Sequence, residues 1–126
     1  MTATDSDKRL VAILRGITPE EVAPLVSGLM DCGFAAIEIP LNSPTPFDSI
    51  ARAVALSTED GGTDRLIGAG TVLTADDVDR VRDCGGNLIV SPNVDRAVIS
   101  RAVALGMRVM PGVMTPTEAL AAIDAG

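Results

Sequence analysis

A chain of 126 residues is long enough to form one domain with a real core, 1–126. Its 47% hydrophobic content contains almost no aromatics and no Trp or Tyr, so the core must be built from Ala, Val, Ile, Leu and Met. A net charge of -7 with no aromatic stacking platform excludes a nucleic-acid surface, and the absence of His removes the commonest metal ligand and acid–base group.

The leader "MTATDSDKRL" has no apolar h-region, so no secretory signal is visible. No apolar run approaches the ~20 residues of a membrane span. Cys32 and Cys84 do not make a disulfide framework; both are expected to be small packing residues in a reducing, cytoplasmic setting.

From Leu10 onward one pattern repeats. An apolar run is followed by a turn, a helix that opens on Ser or Thr, and a closing Gly. The runs are 10–16, 35–41, 65–70, 87–93 and 107–112. "TPEE" predicts a capping box, with Thr18 as N-cap and Glu21 three residues on. "TADD" and "TPTE" repeat it with Asp77 and Glu118, and "SPTP" (43–46) and "SPNVDRA" (91–97) are looser versions. Gly33, Gly85, Gly106 and Gly126 fit left-handed C′ positions. "LSTEDGGTDR", 56–65, reads as a polar loop.

In the second run, "AAIEIPL", period-2 alternation puts Ile37, Ile39 and Leu41 on one face and Ala36, Glu38 and Pro40 on the other. An ionised carboxylate in such surroundings is costly, so Glu38 needs a partner, a raised pKa or a task.

Strands apolar on both faces and alternating with helices indicate βαβ units and a parallel sheet. "IGAGT" is too short for a dinucleotide fingerprint, and the regular repeat favours a (β/α)8 TIM barrel, here about five of its units. Sites in such folds lie at the carboxyl ends of the strands. Arg15-Gly16, Glu38 with Asn42-Ser43, Gly70-Thr71, Ser91-Pro92-Asn93 and Pro111-Gly112 all gather there. Structural readings compete: Arg15 as a solvated charge, Glu38 as its ion-pair partner, Thr71 as a turn residue, and Gly16, Gly70 and Gly112 as backbone-permissive turn residues.

"AILRGITPEE", "GFAAIEIPLNSP", "LIGAGTVLT", "LIVSPN" and "MPGVMTPTEAL" resemble the successive motifs of the KDPG/KHG aldolase family, from about Leu10 to Gly126. The resemblance implies a class I, Schiff-base aldolase that cleaves 2-keto-3-deoxy-6-phospho sugar acids to pyruvate and glyceraldehyde 3-phosphate. It needs no cofactor or metal and is usually a homotrimer. "LRGI" with "EIPLNSP" is more similar to the 2-dehydro-3-deoxy-6-phosphogalactonate branch than to the gluconate branch, which prefers a basic residue where Asn42 stands. By the same resemblance Glu38 is the acid/base carboxylate, Arg15 contacts the substrate's carboxylate end, Thr71 binds substrate, and the Pro92 backbone helps line the site.

The family's lysine nucleophile would lie on a sixth strand. The only lysine here is Lys8, outside every motif, so the chain reads as the first five units of the barrel and is expected to be inactive alone. Two alternatives remain: the gluconate-type aldolase, and a non-enzymatic half-barrel that binds a partner or a small keto acid.

Overall fold

The computed structural model describes residues 10–59, 61 and 64–126. Most of the leader, Lys8 included, lies outside the described residues. Five units follow in strict alternation: β1 (Ala12–Ile13), α1 (Val22–Asp31), β2 (Ala36–Pro40), α2 (Pro46–Glu59), β3 (Leu66–Gly70), α3 (Ala75–Asp83), β4 (Leu88–Ser91), α4 (Arg96–Ala104), β5 (Arg108–Pro111) and α5 (Pro116–Asp124). The strands form one parallel sheet in the order β1-β2-β3-β4-β5, so each pairs only with its neighbours in sequence. This is the arrangement of consecutive units in a (β/α)8 barrel.

Register assigns the two faces of the sheet. Glu38 stands opposite Ile13 on β1 and Gly68 on β3, and Gly68 stands opposite Leu88 on β4. These share one face. Ile37, Ile39, Ile67, Ala69 and Ile89 lie on the other and pack with Val22 and Val26 of α1, Ile50 and Ala53 of α2, Val78 and Val81 of α3, and Val98 and Ala102 of α4. Each fully buried Ile or Val contributes roughly 1.5–3 kcal/mol. With almost no aromatics, the core is a layer of branched aliphatics between sheet and helices.

Local chemistry sets most of the boundaries. Thr74 accepts the Asp77 N–H at 3.1 Å and opens α3, and Thr115 accepts the Glu118 N–H at 3.2 Å and opens α5. The Thr115 hydroxyl and the Met114 N–H also hold Glu118 below the ordinary carboxylate range. Asp95 caps α4 by accepting from Ala97 and Val98, so this helix starts later than "SPNVDRA" suggests, and Ser91 stays in β4. At the other ends Gly33, Gly85 and Gly106 all have positive φ, and the next residue donates back to Leu29, Val81 or Ala102 at 2.9–3.0 Å. That double closure is the Schellman motif.

Four expectations need correction. The capping box at Thr18 does not start a helix. Glu21 reaches back to the Thr18 N–H at 2.9 Å, but the Glu21 N–H is taken by the Thr18 carbonyl in a tight turn, and α1 begins at Val22. β1 is two residues long, because the left-handed Gly16 (φ +82°) turns the chain off the sheet edge after Leu14. Residues 56–59, expected in the polar loop, are helical. The Thr58 hydroxyl donates to the Ala55 carbonyl at 2.8 Å, which satisfies it within α2, and Ser57 is buried on the face of the helix turned to the core. Cys32 is exposed rather than packed, since its C-cap position on α1 faces solvent, whereas Cys84, at the matching position of α3, packs against the core.

Candidate active site

Glu38 is the centre of the site. β2 lies between β1 and β3 and is buried along its whole length, which leaves Glu38 3% exposed. Its carboxyl group lies against Gly70, at the carboxyl end of the adjacent strand, where a Cβ on residue 70 would stand 2.0 Å from Glu38 Oε2. Oε2 has no hydrogen-bond partner among the described residues. Burial pushes the Glu38 pKa from 4.5 up to about 7, against the downward pull of the Arg15 guanidinium and the Gly70 N–H. A carboxyl group half-protonated near neutral pH can both give and take a proton.

Arg15 and Asn42 meet beside it. The Arg15 guanidinium donates to Asn42 Oδ1 at 2.8 Å and acts on Glu38 through its field. Glu38 is therefore not the other half of an ion pair with Arg15; that contact is made with a neutral amide. The Gly16 N–H donates to Ser43 Oγ at 3.0 Å, and Ser43 is itself buried. This bond ties the end of β1 to the end of β2 and fixes the turn that carries Arg15.

Thr71 follows Gly70 with φ +55°, in the left-handed region. A β-branched residue there is strained, at a cost of order 1–3 kcal/mol. The strain aims the chain end of β3 over the strand ends, beside the residue that holds Glu38. Thr71→Gly is expected to stabilise the chain by about 1 kcal/mol, the relief exceeding the added entropy of Gly in the unfolded state. Thermal unfolding checks this; a variant that melts below the parent would show that the Thr71 side chain stabilises its own turn.

Pro92 is exposed, past the end of β4 and two strands from Glu38. The Gly112 N–H donates to the Ser91 carbonyl at 2.8 Å, and a Cβ on Gly112 would stand 2.4 Å from the Pro92 carbonyl oxygen. The ends of β4 and β5 therefore touch through backbone. Of the three glycines expected to be turn residues, Gly16 is one. Gly70 lies inside β3 without positive φ, and Gly112 is required by close approach.

Arg15, Thr71 and Pro92 thus follow the carboxyl ends of β1, β3 and β4, and Glu38 lies in the middle of β2 with its carboxyl group against Gly70. Arg15, Glu38 and the Gly70-Thr71 corner adjoin one another, and Pro92 lies further along the rim. Sequence reading missed the roles of Ser43 and Gly70. A signal for Gly70 existed: the small residues of "IGAG" fall opposite the one carboxylate of the neighbouring strand. Among the described residues no group of three or more His, Cys, Asp or Glu could hold a metal ion, and no helix is long and apolar enough to cross a membrane.

Parallel β/α units in sequential order, with a buried carboxyl group and an arginine near the ends of the strands, are units of a (β/α)-barrel fold. The KDPG and KHG aldolase profile matches residues 3–126. The chain belongs to that family. It is 57% identical over 120 residues to a probable 2-dehydro-3-deoxy-6-phosphogalactonate aldolase of Rhizobium meliloti, covering 95% of this chain and 55% of the relative. It is 50% identical over 117 residues to the 2-dehydro-3-deoxy-6-phosphogalactonate aldolase of Escherichia coli K12, covering 93% and 55%. A solved native KDPGal structure superposes with a TM-score of 0.87 at 49% identity, covering 94% of this chain and 55% of that one. The chain therefore spans about half the length of the relatives it matches.

Proposed function

We propose that these five units carry the acid–base and carboxylate-binding part of a class I aldolase site, which in a whole protein cleaves 2-dehydro-3-deoxy-6-phosphogalactonate to pyruvate and glyceraldehyde 3-phosphate. The observation that carries this is Glu38, a buried carboxyl group with one oxygen unpartnered and a pKa near 7. Similarity to phosphogalactonate aldolases of Rhizobium meliloti and Escherichia coli supports the galactonate substrate.

The chemistry asks two things of Glu38. A lysine amine adds to the C2 ketone, and loss of water from that adduct needs a proton delivered to the departing hydroxyl. Cleavage of the C3–C4 bond then sends its electron pair into the iminium and requires the C4 hydroxyl proton to be taken up. A single carboxyl group titrating near 7 serves both steps in turn. Arg15, steadied by Asn42, is suited to the substrate's carboxylate end. Thr71 offers a hydroxyl, and Pro92 a backbone wall. The amine belongs on a sixth strand in this reading. Lys8 is ill suited to the task, because it precedes β1 at its amino end and neighbours Asp5 and Asp7 in sequence.

The test joins this chain to the part of the Rhizobium meliloti relative that it does not cover. Pyruvate with borohydride is expected to label one lysine of the added part and none in the 126 residues, as read by peptide mass mapping. The hybrid should cleave the galactonate substrate faster than its C4-epimeric gluconate counterpart. A reversed preference would assign the gluconate substrate. Stoichiometric labelling of Lys8 would overturn the division of labour, and a labelled hybrid without turnover would favour a binding half-barrel.

A further inference from the structure

We propose that Gly70 is the positioning residue for the Glu38 carboxyl group: by having no Cβ, it vacates the seat the group occupies. This rests on the reading of Glu38 as the proton-transfer residue. A Cβ built on Gly70 would stand 2.0 Å from Glu38 Oε2, 2.3 Å from Cδ and 2.4 Å from Oε1. All three nearest atoms belong to Glu38. The neighbouring Gly68 makes the contrast. There a Cβ would fall 1.8 Å from the Leu88 carbonyl oxygen, with Leu88 backbone atoms next, so Gly68 is required by the approach of β3 to β4. Two glycines two residues apart on one strand face answer different demands, one from a backbone and one from a carboxyl group.

The seat itself is rigid. The Gly70 carbonyl accepts the Leu41 N–H at 2.9 Å, which fixes the end of β3 to the end of β2. Thr71, held in its left-handed conformation, follows at once. The Gly70 backbone is therefore held at a set place, and the Glu38 carboxyl group lies over it on the same sheet face. The charged group that acts on this carboxyl from an adjacent element is Arg15, beyond β1. Because the obstruction is the end of a flexible side chain and not backbone, a methyl group at position 70 displaces the carboxyl group and leaves the strand in place.

The experiment is isotope-edited infrared titration of Glu38 in the 126-residue chain, with Glu38→Gln subtracted to isolate the band. In Gly70→Ala the chain should unfold cooperatively, and the Glu38 midpoint should fall from about 7 by at least one pH unit as the group leaves its buried seat. An unchanged midpoint in a folded Gly70→Ala chain would overturn the proposal. If Gly70→Ala does not fold, Gly70→Ala is combined with Glu38→Ala. Recovery of folding in that pair supports a demand made by Glu38, and failure to recover assigns Gly70 to the backbone and overturns it. Neither readout uses aldol turnover, so an inactive hybrid would sink the functional reading without touching this one.

Discussion

Glu38→Gln is expected to make the chain more stable and the hybrid enzyme far slower. The pKa of Glu38 is higher in the folded chain than its ordinary value of 4.5. The folded state therefore holds the proton more tightly than the unfolded one. The stability this confers is fully present below pH 4.5 and is lost as pH rises through about 7. The interval corresponds to roughly 3 kcal/mol before screening, and solvent at the open strand ends removes part of it. Gln is neutral throughout and of nearly the same shape, so it can keep the seat over Gly70. Above pH 8 the variant should melt several degrees higher than the parent, and near pH 4 the two should converge. In the hybrid the same change should lower kcat by roughly 10²–10⁴. Parallel stability curves would place the titration elsewhere, and near-normal turnover would return Glu38 to a structural role.

The second large effect is self-association. β1 and β5 are the sheet edges, each with one side of its backbone unpaired. Apolar side chains stand exposed on both flanks: Leu10, Ile13 and Leu25 around β1 and α1, and Leu120 and Ile123 on α5, a helix with no fully buried residue. Unpaired parallel edges next to uncovered aliphatics invite pairing with another chain. The 126-residue chain is therefore expected to form oligomers at micromolar concentration. Leu120→Glu with Ile123→Glu should weaken this roughly 100-fold or more, since each side chain withdrawn from burial forfeits about 1.5–3 kcal/mol. Sedimentation velocity across a dilution series reads this. A parent chain monomeric at every concentration would refute it.

The repeat was legible because caps and glycines are local signals. Thr74 with Asp77, Thr115 with Glu118, and the glycines at 33, 85 and 106 act within a few residues of their partners, and their chemistry is written in adjacent letters. Glu38 was legible because one charge in an apolar strand is a contradiction the fold must resolve. Features that depend on a neighbouring strand were hidden. The need for Gly70 comes from a side chain 32 positions earlier in sequence. The start of α1 was misjudged because Thr18 and Glu21 carry the letters of a capping box but spend them on a turn. The extent of α2 was misjudged because Ser57 and Thr58 look solvated, whereas the helix buries Ser57 and takes up the Thr58 hydroxyl.

The unbroken strand order has a consequence for synthesis on the ribosome. Every strand pairs only with those immediately before and after it, so β2 to β5 each emerge to a partner already made and only the outer edge of β1 is left open. Each new β/α unit emerges to find its docking edge already made, and the glycine closing most of the helices frees the next strand to turn onto it. Loop closure stays short at each addition, which keeps the entropic barrier to every pairing low. Until the next unit docks, a growing chain exposes the outer edge of β1 and the edge of its latest strand, and there nascent-chain chaperones would find their targets.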